Sequence, residues 1–211
     1  MTRKSSNAAI QFDRALGEAR SAREEVVSAF QRELVANLTL HHRAITCSRG
    51  CTHCCYHPVA VSLLEGLLAY RGMDSARIWT PTMRERMVKA ADQTVGLSFE
   101  IWLLSMTPCP MLDGGGCMIY DMRPATCRMC CSIGDPTDCH PHNLVSARGI
   151  VPRAEAVHGY HRKEEAILRR FGLPHATMPL PLAVLVAERV CSGVPVEDSM
   201  TEVLKEYGSR L

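Results

Sequence analysis

The sequence is poor in aromatic residues, in excess charge of either sign and in long apolar runs. Aromatic residues make up only 5% of its 211 positions, and 24 Lys and Arg residues face 22 Asp and Glu residues, for a formal net charge of +2. That balance gives no electrostatic reason to expect a nucleic acid or a membrane surface as a partner. No stretch reaches the roughly 18 apolar residues that a bilayer-spanning helix needs. The sequence therefore predicts neither a nucleic-acid partner nor a membrane partner.

The N-terminal segment also lacks a recognisable targeting signal. The residues "MTRKSSNAAIQFDRALGEAR" are basic, but no apolar run follows them. Secretory signals and membrane anchors both need such a run. We therefore expect a cytoplasmic protein.

Cysteine, in contrast, is abundant and unevenly placed. Ten of the eleven cysteines fall between positions 47 and 139. A reducing compartment does not maintain a disulfide framework, so clustered cysteines there indicate metal or redox chemistry. The cysteines are Cys47, Cys51, Cys54, Cys55, Cys109, Cys117, Cys127, Cys130, Cys131, Cys139 and Cys191.

The first cluster, "CSRGCTHCC" at 47–55, has the spacing C-x3-C-x2-C-C. A two-residue gap lets the chain wrap back so that two sulfurs approach one ion, and Gly50 relieves the tight turn. The adjacent Cys54 and Cys55 point in different directions in most backbone conformations. One of them is therefore available to a second metal, or is not a ligand.

The second cluster, "CPMLDGGGCMIYDMRPATCRMCC", begins at Cys109, and Cys139 lies eight residues beyond it. The glycine turn at 114–116 is expected to bring Cys109 and Cys117 together. Neither cluster is a complete ligand set by itself, but together they supply thiolates for one or two four-ligand sites. Zinc takes four sulfurs at about 2.3 Å, and an iron–sulfur cluster is also held by thiolates, usually four.

In their order, these motifs resemble those of the zinc- or iron-chelating cysteine-cluster family, the CxxCxxCC proteins. The resemblance covers about residues 47–139 and consists of the paired cysteines, C-P-x-L, C-x-I-Y-x-x-R-P-x-x-C-R and the last cysteine. It departs at Cys130, where the family commonly has an aromatic residue, and at the additional Cys131. Either one can replace an expected ligand, and Cys139 is the expected ligand that is replaced most readily. The ligands that the resemblance implies are Cys47, Cys51, Cys54, Cys55, Cys109, Cys117, Cys127 and Cys139.

Two arginines have two alternative interpretations. Eight thiolates around two divalent ions leave net negative charge, which the guanidinium groups of Arg123 and Arg128 can offset through N–H donors. The alternative is a surface ion pair with Asp121 or Asp135.

Other residues near the clusters are weaker candidates. A mixed site could take an imidazole, but proximity in sequence is weak evidence for it. Tyr120 is more simply a buried aromatic residue, and the isolated Cys191 a small core residue. The histidines beside cysteines are His53, His57, His140 and His142.

The apolar periodicity predicts a mainly α fold in which helices surround an irregular, loop-built, cysteine-rich metal-binding centre, with at most a short β-hairpin. "CMIY" at 117–120 fits a short strand, and 97–106 is apolar without deciding between helix and strand. Three regions follow: an N-terminal amphipathic helix in 1–43, a cysteine-cluster core with embedded helices in 44–145, and a helical segment in 146–211. Helices are expected over 8–41, from Ser62 to Gly72, from Thr80 to Gly96, and over 152–171, 180–191 and 197–207.

The main functional hypothesis is a protein that coordinates zinc or an iron–sulfur centre through clustered thiolates. It would be a structural or regulatory module with a protein partner, or a metal-handling module. The alternative is an iron–sulfur redox or group-transfer enzyme, similar to a methyltransferase, because flagellin lysine N-methylases carry a similar cysteine region within a longer chain. No glycine-rich cofactor loop follows a strand, and no Ser-His-Asp spacing is recognisable.

One further coincidence concerns the spacing of Cys47, Cys51 and Cys54. Radical S-adenosylmethionine enzymes hold a four-iron cluster with the same spacing. They have repeated strand–helix units, whereas this chain has helices on both sides of the motif, and His53 stands where their motif usually has an aromatic residue. The sequence therefore favours the cysteine-cluster interpretation.

Overall fold

The fold is taken from a computed structural model, which describes residues 3–42, 44–143, 149–150 and 154–207. The prediction of a mainly helical chain is confirmed, and none of the described helices is long and apolar enough to cross a bilayer. Within the described ranges the chain forms eight α-helices: α1 (Arg3–Leu40), α2 (Leu63–Ser75), α3 (Pro81–Thr94), α4 (Phe99–Leu104), α5 (Ala125–Met129), α6 (Ala154–Arg170), α7 (Leu180–Cys191) and α8 (Val196–Tyr207).

Three of these helices begin at side-chain caps. The hydroxyls of Ser62 and Thr80 each accept the backbone N–H three residues on, at 3.2 Å in both cases. Ser98 does the same for Ile101 at 3.3 Å. Each bond satisfies a backbone donor that the first helical turn leaves unpaired. The cap at Ser98 makes the ambiguous segment 97–106 a short helix rather than a strand.

The centre of the molecule is the helix pair α2 and α7, most of whose residues are buried. Helices α3 and α8 pack against α7, while α1 packs against α6 and α2. The core contains Leu16 from α1, Leu67 from α2 and Leu182 from α7. The core therefore includes residues from all three predicted regions. The division of the chain into these regions stays a prediction. The boundary between 145 and 146 and the expected helix start at 152 lie outside the described residues.

The strands form short antiparallel pairs. The predicted hairpin pairs β2 (Leu112–Asp113) with β3 (Gly116–Cys117). The strand expected over 117–120 ends at Cys117, because the chain turns there. Gly114 and Gly115 have φ angles of 53° and 82°, which favour glycine. Two further pairs join distant segments, β1 (Ala60–Ser62) with β6 (Thr177–Pro179), and β4 (Cys131–Ser132) with β5 (Gly149–Ile150).

Candidate metal centre

The first cysteine cluster lies in the connection between α1 and β1. Gly50 has a φ of 93°, and Cys51 N–H donates to the carbonyl of Ser48 at 3.1 Å. A single 3-10 turn over His53–Tyr56 then carries Cys54 and Cys55. The tight turn that the sequence predicts at Gly50 is present, and it folds the cluster back on itself.

Backbone contacts bring the second cluster onto the first. Cys109 N–H donates to the carbonyl of Cys55 at 2.7 Å. The β2–β3 hairpin then returns the chain, and Leu112 pairs with Cys117 in its register. The predicted approach of Cys109 and Cys117 across the glycine turn is therefore built by this hairpin.

Cys127 lies on the short helix α5, which brings it to the other cysteines of the two clusters. The buried carboxylate of Glu65, on α2, accepts the N–H of Ala125 at 2.6 Å, which holds the first turn of α5 against the central helix pair. Because α5 is only five residues long, this contact from another element is needed to fix it.

Six of the eight expected ligands line one small cavity of about 40 Å³. Apolar side chains, among them Met111 and Ile119, form much of the remaining wall, and Arg123 is the basic residue that lines it. The lining thus consists of thiols in an otherwise largely apolar surrounding. The six cysteines are Cys51, Cys54, Cys55, Cys109, Cys117 and Cys127.

Cys54 is at the electrostatic centre of this group. Its sulfur accepts hydrogen bonds from the thiols of Cys130 and Cys55, and these bonds lower the pKa of Cys54 to about 3. The same bonds raise the pKa of both donors. Cys54 is therefore the thiolate that the cluster stabilises first.

Burial acts in the opposite direction on the deeper thiols. It raises the pKa of Cys109 to about 12 and raises the pKa values of Cys127 and Cys117, whereas Arg123 lowers the pKa of the last two. Such thiols stay neutral unless a cation stabilises the thiolate. A metal ion supplies that charge more strongly than one guanidinium group does.

The other two expected ligands, Cys47 and Cys139, lie beside the cavity at Ser132. Cys47 Sγ accepts the backbone N–H of Ser132 at 3.0 Å, and Cys139 Sγ is hydrogen-bonded to the Ser132 side chain. Cys131, at the start of β4, is buried next to Cys47, and burial raises its pKa to about 11. The structure thus separates the eight into a cavity group of six and an adjoining pair.

Cys130 and Cys131 are the two cluster cysteines that the expected ligand set leaves out and names as possible replacements, and Cys130 lies in contact with Cys54. The Cys130 residue as a whole is exposed to solvent, but its thiol donates a hydrogen bond to Cys54 in the middle of the cluster. The only sequence signal was its departure from the family pattern.

The two arginines differ in surroundings. Arg123 Nε donates to the carbonyl of Tyr120 at 2.9 Å, and its guanidinium lies 3.7 Å from the centre of that ring. Arg128 is paired with Glu24 of α1 at 2.6 Å. Asp121, the expected surface partner, is bound by Arg49 at 2.6 Å. Arg123 alone of the two lines the cavity.

The four histidines form a patch outside the cavity. His140 contacts the rings of His53 and His142 at centroid distances of 6.0 and 5.1 Å. His57 Nε2 lies 2.5 Å from the carbonyl oxygen of Cys139. Cys191, in contrast, packs at the edge of the core next to Arg71, as expected of a core cysteine.

The thiol-rich lining of the cavity has the donor chemistry of a thiolate-bound metal site. In the described parts of the chain, no three His, Cys, Asp or Glu side chains are arranged to hold an ion. All eleven cysteines are free thiols, so none is consumed by a disulfide. The donor set is therefore available to a soft or borderline metal.

Comparison with known proteins points to the same cysteine-rich segment. Residues 46–146 match the CxxCxxCC family model, described as a "putative zinc- or iron-chelating domain". No curated protein and no solved structure matches the chain.

Proposed function

We propose that this chain coordinates zinc or an iron–sulfur centre through clustered cysteine thiolates. The match of residues 46–146 to a family model described as zinc- or iron-chelating supports this proposal. The centre joins the loops that carry the thiolates and makes the segment a structural or metal-handling module. Its protein partner remains a prediction.

The observation that carries the proposal is the convergence of four separate segments on one cavity. Cys51, Cys54 and Cys55 come from the first loop, whereas Cys109, Cys117 and Cys127 come from the chain before, within and after the hairpin. Buried free thiols as ordinary core residues would not need to meet in one place. Thiolate ligands do.

The surroundings support a structural role over catalysis. The connections that carry these cysteines contain only short helical turns and two-residue strands, which cannot hold themselves together. A structural zinc contributes on the order of 10 kcal/mol to folding, comparable with the typical net stability of a domain. When bound, the metal would supply coordination bonds that cross-link these loops.

Elemental analysis of protein isolated without oxygen tests the proposal. Bound zinc in colourless protein indicates a zinc site, and bound iron with sulfide in brown protein indicates an iron–sulfur centre. Cys51→Ser and Cys117→Ser, each from a different segment, are expected to lose most of the metal because a serine hydroxyl is a poor ligand for either centre.

Cys191→Ser is the matched control, since Cys191 is half-buried and lies at the end of α7, away from the cavity. It is expected to keep the full metal content. Metal-free but folded wild-type protein, or undiminished metal in both ligand variants, would contradict the proposal.

A further inference from the structure

Cys130 connects the surface of the molecule with the thiol-lined cavity. All eleven cysteines lie in the described ranges, and among them Cys130 is the exposed one, whereas the others are half-buried or buried. It follows the last residue of α5 and is not part of the cavity wall. Its thiol nevertheless donates a hydrogen bond to the sulfur of Cys54, which does line the cavity.

The backbone at Cys130 is held in place by α5. The N–H of Cys130 donates to the carbonyl of Thr126 at 3.1 Å, which closes the last turn of that helix. Arg128, in the same turn, is bound to Glu24 of α1 at 2.6 Å. The position of the Cys130 thiol against Cys54 is therefore fixed by contacts with two other parts of the fold.

Three sulfurs are in contact in series from the surface to the cavity. Cys54 accepts a hydrogen bond from Cys130 on one side and from Cys55 on the other, and both Cys54 and Cys55 line the cavity. Thiolates are the form of cysteine that binds metal ions. An ion bound at Cys130 can thus move inward by exchanging one sulfur ligand at a time.

The cavity itself is too small to admit a molecule that carries a metal ion. Its volume of about 40 Å³ is little more than the roughly 30 Å³ that one water molecule occupies in the liquid. Six thiols line it, whereas a zinc site needs four ligands. A carrier must therefore release the ion outside the cavity, and Cys130 is not needed to complete the ligand set inside.

The charge of the cavity wall indicates which carrier fits. Arg123 is the charged side chain in the lining, and none of the lining residues is a carboxylate. Such a surrounding favours an approaching anion over a hydrated cation. A divalent ion with three or four thiolate ligands is an anion, and its transfer from one thiolate to another keeps it on sulfur throughout. The carrier that fits is a metal complex of a small soluble thiol.

Building on the proposed function, we propose that Cys130 receives a zinc ion from the anionic complex of a small soluble thiol and transfers it to Cys54. In the first step the Cys130 sulfur bonds to zinc and one bond between zinc and a carrier sulfur breaks. The released carrier thiolate takes up the proton that the Cys130 thiol loses. In the second step the Cys54 thiolate displaces a further carrier thiolate. No electron is transferred, and zinc remains divalent.

Isotope exchange tests the inference on the full chain, isolated without oxygen and with its metal bound. The protein is mixed with isotopically enriched zinc in complex with reduced glutathione, and mass spectrometry follows the isotope ratio of the bound zinc. Cys130→Ser should slow the exchange at least about tenfold, because it removes the sulfur that receives the ion first, and should leave the zinc content unchanged. Cys130→His should restore part of the rate, since imidazole also binds zinc.

Cys191→Ser is the control and should exchange zinc as the wild type does, because Cys191 lies at the end of α7. Circular dichroism verifies that each variant is folded. Equal exchange rates in Cys130→Ser and the wild type overturn the inference. Loss of bound zinc from Cys130→Ser overturns it in favour of a permanent ligand, and faster exchange with hydrated zinc than with the glutathione complex overturns the thiol carrier.

Failure of the inference is distinguishable from failure of the proposed function. Protein that contains zinc but does not exchange it, or that contains an iron–sulfur centre and no zinc, overturns the role of Cys130 and leaves the thiolate centre intact. Folded protein without any bound metal contradicts the proposed function, and the transfer role with it.

Discussion

At the scale of single residues, position relative to the cavity matters more than side-chain type. Arg123 and Arg128 carry the same charge and lie five positions apart, but Arg128 is paired with Glu24, whereas Arg123 stacks on Tyr120 and lines the cavity. Arg123 also lowers the pKa of Cys117 and Cys127. Of these two arginines, Arg123 is the one placed to offset the negative charge of a thiolate site.

Replacing Arg123 by glutamine should therefore weaken metal retention. Groups that support metal ligands from outside typically change affinity about ten- to a hundredfold when removed. Competition against a chelator at fixed pH measures the effect. Arg128→Gln is the control and should retain metal like the wild type; equal losses in both variants would indicate general destabilisation instead.

At the scale of elements, α2 and α7 pack closely against each other at Gly66. A Cβ atom added at Gly66 would lie 2.7 Å from Ala183 Cβ and 2.8 Å from the Ala183 carbonyl oxygen. Both helices are almost fully buried there, so neither can easily move away. The absence of a side chain at Gly66 therefore allows this close helix packing, although glycine weakens a helix.

Gly66→Ala should lower the free energy of unfolding by about 1–3 kcal/mol, the usual cost of overpacking a core. Urea denaturation followed by circular dichroism measures it. Gly17→Ala in α1 is the matched control, because Gly17 is exposed and nothing lies within 4 Å of its added Cβ. There the higher helix propensity of alanine should instead add about 0.5–1 kcal/mol. A stabilised Gly66→Ala variant would show that α2 and α7 are not packed this closely.

At the scale of the whole molecule, the helical core and the cysteine-rich region differ in their apolar packing. The main core is built from α2, α3, α7 and α8 with parts of α1, and Cys109 and Cys117 pack only at its edge. The second half of α1, through Val27 and Phe30, instead covers α5 and the outer cysteine region. Most of these apolar contacts belong to the helices, and from the loops Met111 and Ile119 are buried in the main core. Under the proposed function, a metal bound by the thiols adds cross-links between the loops.

Metal removal should for this reason loosen the molecule unevenly. After anaerobic chelation, backbone amides in 107–139 are expected to exchange hydrogen faster, while those of α2 and α7 keep most of their protection. Hydrogen–deuterium exchange with mass spectrometry resolves the two regions. Unchanged exchange in the loops would mean that no metal holds them, and equal loss in the helices would mean that the core itself requires the metal.

Much of this architecture depends on residues that are close together in the chain, and it could therefore be predicted from the sequence. The caps at Ser62 and Thr80 and the turn at Gly114 and Gly115 each depend on residues within a few positions of each other. The segment 97–106 was ambiguous because its apolar residues suit either structure, and the Ser98 cap decided it. The pairing of β1 with β6, across more than a hundred residues, has no local signal at all.

By itself, the sequence determined that this is a mainly helical chain with a thiol-rich centre, because helix periodicity, capping and cysteine spacing are short-range properties. Only the tertiary structure decided which thiols share a cavity, that Cys130 touches Cys54, and that Arg123 rather than Arg128 faces them. It alone also placed Glu65 beside Glu164, 99 positions apart in the chain. Contacts between distant segments depend on how helices pack against one another, and packing is a property of the assembled core that no short window of residues contains.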